Sequence, residues 1–157
     1  MSRAPAHCEA PGPDGLIRGY DRAVTAIDPF EQLDFIYTPS DDVARDMKYF
    51  TDVLGGTRLF SVEGMGARAA LIKLTESPPH VLLTDHLEGE RAILVYRVSD
   101  LKRSLKELEQ HGWKREETFG IPHGPCCSFT APGGHRIALY QLTRPEVGAH
   151  FEGRFDF

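Results

Sequence analysis

His123, Cys126 and Cys127 fall within five residues of one another, and His80 and His86 bracket a separate apolar run. A thiolate beside an imidazole can act as nucleophile and base, and the same residue types could build an unorthodox metal site. The spacing gives both little support. His123-Gly124-Pro125-Cys126-Cys127 bends at Gly-Pro and matches no common ligand pattern. Adjacent strand residues also point to opposite faces, so only one of the two thiols can reach a shared site. Free cysteine is among the most buried residue types, so inert buried thiols and solvated histidines are the expectation.

The elements that would position such groups occur twice. Leu33 to Thr38 is rich in strand formers and stops at Pro39; Ser40 then caps a helix with Asp41 and Asp42 in its first turn. Val43, Met47, Phe50 and Leu54 repeat at helical spacing, and Gly55-Gly56 ends the pattern. Strands are expected over Thr57 to Val62, Arg68 to Leu74 and His80 to Thr84. About sixty residues later the order returns. Ala92 to Val98 reads as a strand, Ser99 caps a helix carrying Leu101, Leu105 and Leu108, and Gly112 ends it. Trp113 to Thr118, Cys126 to Thr130 and Arg136 to Gln141 read as three more strands. The fold class is therefore α+β, with two tandem βαβββ modules pairing their sheets around a cleft. The modules span 33–86 and 92–142 of a single domain, 33–142. An N-terminal arm (1–32), broken by Pro and Gly, and a C-terminal tail (143–157) with Phe151, Phe155 and Phe157 flank it. The arm reads as a loosely packed extension, or else as a cover for a neighbouring subunit or the mouth of a pocket, and the tail is expected to dock onto the body or a second subunit.

At 157 residues with 41% hydrophobic and 26% charged residues, the chain can bury a core without staples. A net charge of -5 with interleaved Lys and Arg argues against a nucleic-acid partner, and no apolar run suits a membrane span. Three cysteines, two of them adjacent, and an N-terminus without an apolar block lead to the expectation of reduced thiols and a cytoplasmic location.

The element order and two segments resemble the vicinal oxygen chelate superfamily, which includes glyoxalases, extradiol dioxygenases and bleomycin-resistance proteins. Met47 to Gly55 (Met-Lys-Tyr-Phe-Thr-Asp-Val-Leu-Gly) is similar to its first helix. Ile121-Pro122-His123-Gly124, followed by Phe129 to Ile137, is similar to its last hairpin. Metal-dependent members hold a divalent ion with four side chains from the first and last strands of each half. Aligned on that pattern, the positions are Phe35, Leu83, Ile93 and Ala138. None can ligate a divalent ion, so the resemblance implies a lost metal site and no cofactor.

With those four residues facing the cleft, strand alternation adds Tyr37, Asp85, Val95, Arg97, Arg136 and Tyr140. A mostly apolar floor with a few polar groups suits a small-molecule ligand that is aromatic or amphipathic, or else closes on itself as core. The first reading is a metal-independent binding protein, possibly for drug binding or self-resistance. The alternatives are a non-metal lyase or isomerase using Tyr37, Asp85, Arg97, Tyr140 or His123 for proton transfer, and a pseudoenzyme interaction module. The resemblance also implies a homodimer.

Overall fold

The computed structural model describes residues Pro29–Phe157, so most of the expected arm lies outside the described residues. Two βαβββ units follow in order. The first is β1 (Gln32–Pro39), α1 (Val43–Lys48) continued by a π-helical turn (Tyr49–Val53), β2 (Thr57–Gly64), β3 (Ala67–Lys73) and β4 (His80–Thr84). The second is β5 (Ile93–Val98), α2 (Leu101–Gln110), β6 (Thr118–Ile121), β7 (Gly124–Thr130) and β8 (Arg136–Gln141), followed by α3 (Glu146–Phe151). The two four-stranded sheets join edge to edge through an antiparallel β1–β5 pair, giving one sheet in the order β2-β3-β4-β1-β5-β8-β7-β6. No helix among the described residues is long and apolar enough to cross a membrane.

Local chemistry differs from the sequence expectation at three places. The helix caps are Asp42 and Asp100, whose carboxylates accept from Arg45 N and Arg103 N at 3.0 Å, rather than Ser40 and Ser99. The helices start at Val43 and Leu101, so it is Asp42 and Asp100 that stand directly before the first helical residue, where a side-chain oxygen reaches the N–H three residues ahead. Ser40 instead extends the β1–β4 pairing through its N–H to Thr84 O and donates its hydroxyl to Asp46. Gly55 and Gly112, with φ of 71° and 89°, do end the helical segments. Pairing of the sixth strand begins only at Thr118, because Lys114 to Glu117 carry charge to solvent and Trp113 packs edge-on against Phe129 at 5.3 Å.

Both helices cover the same face of the sheet. α1 buries Val43 and Met47 on Ala70, Ile72 and Leu83, while α2 buries Leu101 and Leu105 on Val98, Cys127 and Leu139. Phe30, just before β1, meets Tyr96 edge-on at 5.0 Å on that second cluster.

The segment after β8 crosses the other face. Arg144 N bonds His123 O at the β6–β7 turn, Phe151 meets Phe60 on β2 at 5.7 Å, and Gly153 N bonds Leu59 O. In a flat sheet β7 and β2, six steps apart in the strand order, would stand about 29 Å apart. The nine residue steps between Arg144 and Gly153, mostly helical, reach about 20 Å at most. The sheet must therefore curl toward its helix-free face, and the tail spans the concavity. Its last residues zip along β2. Ser61 pairs with Phe155, the main-chain oxygen of Phe157 accepts from Ser61 Oγ and Arg58 Nη1 at 2.8 Å, and the Phe157 ring packs on the α1 cluster.

Candidate functional site

Strand register decides which side chains share the concave face. In β1 and β5 the pairs Phe35–Val95 and Tyr37–Ile93 point the same way, and β8 adds Arg136, Ala138 and Tyr140 opposite Ile93, Val95 and Arg97. Eight of the ten expected residues thus lie on one face: Phe35, Tyr37, Ile93, Val95, Arg97, Arg136, Ala138 and Tyr140.

Leu83 and Asp85 do not. β4 runs parallel to β1 with His80 opposite Phe35 and Leu82 opposite Tyr37, so the concave face of β4 carries His80, Leu82 and Thr84. Leu83 is turned into the α1 cluster and is 1% exposed. Asp85 is exposed and accepts from the Arg68 backbone N–H at 2.9 Å. The equivalence between halves explains the slip. His80 faces Phe35 as Arg136 faces Ile93, so the counterpart of Ala138 is Leu82.

By that equivalence, the four positions that the resemblance aligns with the superfamily's ion ligands become Phe35, Leu82, Ile93 and Ala138. Their side chains offer no nitrogen or oxygen donor, so they do not fit a divalent ion. Among the described residues no three His, Cys, Asp or Glu groups converge as a metal site.

Polar groups gather beside those positions instead. A β-bulge between Leu33 and Phe35 places Asp34 on the same face as Phe35. Its buried carboxylate accepts from Tyr140 OH at 2.5 Å and Gln32 Nε2 at 2.8 Å, with Arg97 Nε at 3.6 Å. Burial, and then the bond to Asp34, push the Tyr140 phenol well above its ordinary range. His123, at the β6–β7 turn, completes a triangle of rings. It stands 6.1 Å from Phe35 and 6.0 Å from Tyr140, which are 6.3 Å from each other. Gly124 fixes that turn: its φ is 150°, and a Cβ there would strike the Gln141 carbonyl.

On the β4 side of Phe35 stands His80, whose Nδ1 is buried without a partner among the described residues. Burial lowers the pKa of both imidazoles. Lys73 adds to this at His80 and Arg144 at His123, while Asp34 opposes it at each. Both are neutral at physiological pH. A third imidazole closes a chain of bonds. Thr84 Oγ1 donates to Arg68 O, so it accepts from His86 Nδ1 at 2.6 Å, and His86 Nε2 accepts from Tyr37 OH at 2.7 Å. The Tyr37 phenol is raised by burial, lowered by Thr84 and raised again by Asp85.

Strand alternation from Phe35 alone would turn Asp34 to the opposite face, and the bulge that brings it back leaves no local signal in the sequence. His123 is expected from sequence as a partner for the cysteines or, in the lyase or isomerase alternative, as a proton-transfer group, but nothing in the sequence places it beside Phe35. Cys126 is the thiol on the concave face, opposite Tyr140; Cys127 points into the α2 cluster. Burial, with the neighbouring Cys127 adding to it, pushes Cys126 up to about 12, and Cys127 is raised as well, chiefly by burial. Neither thiol is a nucleophile at neutral pH. In a Cys8→Ser variant, native protein at pH 8 is expected to leave a disulfide reagent such as DTNB unreacted, and denatured protein to consume two equivalents. Fast native labelling would overturn the assignment.

The concavity has two parts. Over β5 and β8, Leu87, Ile121 and Leu142 close onto the floor, leaving Ile93 8% and Ala138 5% exposed, so this part is core. Over β2 to β4 the face is partly open: Phe60, Val62, Lys73, His80 and Leu82 are half-exposed, whereas Leu71 and Thr84 are buried. Two shallow recesses open at the margins, about 710 Å³ between Pro122, Arg144 and α3, and about 570 Å³ between Glu88–Arg91 and Arg136. Neither is lined by the central residues. Arg136 is committed to the second, its Nη1 donating to Glu88 O and Arg91 O.

No protein-family model matches the chain, and no curated protein matches it. Solved structures do. A methylmalonyl-CoA epimerase from Mycobacterium tuberculosis is similar at 21% identity and a TM-score of 0.62, covering 83% of this chain and 99% of its own. A hypothetical protein from Bacillus halodurans C-125 is similar at 14% identity and a TM-score of 0.61, covering 72% and 95%. The Streptomyces coelicolor methylmalonyl-CoA epimerase, in complex with 2-nitronate-propionyl-CoA, is similar at 14% and 0.58, covering 73% and 99%. At these identities the likeness is one of fold: the chain has the α+β, glyoxalase/bleomycin-resistance-like fold of these neighbours.

Proposed function

We propose that this protein is an isomerase-type enzyme that moves a proton on a small molecule without a metal ion. The observation that carries the reading is the placement of two neutral imidazoles, His80 and His123, beside Phe35, where the superfamily anchors an ion. Two imidazoles flanking a substrate isomerise a carbon acid without a Lewis acid when the neutral one takes the proton from carbon and the other, having first taken a proton from solvent, delivers one to the opposite side. The neutral form of each is the one able to accept. The structural neighbours named as epimerases support the reaction class and leave the substrate open. Binding without turnover is the second reading, favoured by the apolar surface around Phe35 and Leu82.

The test is α-proton exchange. Protein dialysed against EDTA is incubated in D2O with methylmalonyl-CoA and other carbon acids, and deuterium uptake is followed by NMR. Exchange is expected without added metal and should fall about 100-fold in His123→Gln. No exchange with any carbon acid, or exchange only after a divalent ion is restored, overturns the reading.

A further inference from the structure

The half-exposed part of the concave face has an ordered chemistry along its strands. At one end Lys73 pairs with Thr57 on β2, and the β3–β4 register that joins Ile72 to Val81 carries Lys73 on to His80. One row further, Phe60, Leu71 and Leu82 stand side by side, and beyond them lies Val62. Phe151 of the tail meets Phe60 and roofs the strip. From Lys73 to the row of Val62 the strip runs about 13 Å. It is thus an apolar strip, half-exposed at Phe60, Val62 and Leu82 and closed at Leu71, with a basic head.

We infer that this strip binds an apolar monocarboxylic acid, with the carboxylate at Lys73 and His80 and the hydrocarbon along the half-exposed Phe60, Leu82 and Val62. Three features select that class. Lys73 is only 28% exposed, and its ion pair, at 3.0 Å, is with Glu76, which is 93% exposed. A pair held by so solvated a partner is weak and readily exchanged for a ligand carboxylate. His80 Nδ1 is buried without a partner among the described residues, and a carboxylate oxygen at the head would supply one. Asp34, an acid whose charge reaches His80, is already engaged by Tyr140, Gln32 and Arg97, so it does not compete for a cation there. The site concerns binding alone and stands whether or not the protein turns over a substrate.

The experiment compares decanoate, decanol and decyltrimethylammonium on the full chain by calorimetry and by backbone NMR shifts. Decanoate is expected to bind about tenfold more tightly than decanol, the cation not at all, with shifts centred on β2 to β4. Lys73→Met should erase the preference for decanoate while keeping decanol binding, and Leu82→Trp should abolish both. Equal affinity for acid and alcohol, a preference that survives Lys73→Met, or shifts confined to β5 to β8 would overturn the site. So would failure of decanoate to bind because residues of the N-terminal arm already cover the strip. A negative proton-exchange result with carbon acids leaves this outcome unaffected.

Discussion

Leu83→Glu is expected to unfold the protein, and Leu82→Glu, one residue away, to leave it folded. Leu83 is 1% exposed among Val43, Met47, Ala70 and Ile72. Truncating such a leucine to alanine costs about 2–5 kcal/mol, and a carboxylate in its place adds several more because no donor faces it. That exceeds the lower part of the usual stability range of about 5–15 kcal/mol. Leu82 lies on the half-exposed concave face, where a carboxylate can reach water and stands in the row next to Lys73 and His80. Its cost is expected to be about 1–2 kcal/mol. Urea denaturation followed by circular dichroism separates the two. If Leu82→Glu were the more damaging variant, the parallel register of β1 on β4 would be wrong, and Leu83 would return as the fourth position of the lost metal site.

That contrast also marks where sequence reasoning stops. Hydrophobic periodicity is a local property, so eight strands and two repeated helices were legible, including His80–Thr84 and Arg136–Gln141 at their observed bounds. Register is a relation between segments distant in the chain, and a one-residue error turns a whole strand over. Leu83 and Asp85 were misplaced for that reason alone. A bulge is invisible for the same reason: Asp34 reaches the concave face only because β1 carries an extra residue opposite Tyr96 and Val95. The caps moved from serine to aspartate because both residue types satisfy the same pattern, and only geometry chooses between them. The correction exchanges one leucine for another, so it changes which face the residue lines and not the donor chemistry it brings.

Stability should fall steeply above about pH 9, and Tyr140 and Cys126 should account for it. The two groups face each other across β7 and β8 and are 2% and 3% exposed. Both native pKa values are raised, Tyr140 by burial and its bond to Asp34, Cys126 by burial and the neighbouring Cys127. An acid whose native pKa is raised keeps its proton while the unfolded chain has lost it. Stability is therefore fully present below the unfolded pKa, near 8.5 for a thiol and near 10 for a phenol, and declines as pH rises through the window above. Each such group contributes a slope of up to about 1.4 kcal/mol per pH unit, so the two together can exhaust an ordinary stability within a few units. Cys127 and Tyr37 push in the same direction. Urea midpoints between pH 7 and 11 are expected to fall in the native sequence and to flatten in a Cys126→Ala/Tyr140→Phe double variant. Tyr140→Phe alone should cost about 1–3 kcal/mol at pH 7, because Asp34 then loses its shortest donor. Midpoints that stay level to pH 11 would mean that water already reaches the thiol and the phenol. The concavity over β5 and β8 would then be an open cleft, and a ligand could be seated there instead of on β2 to β4.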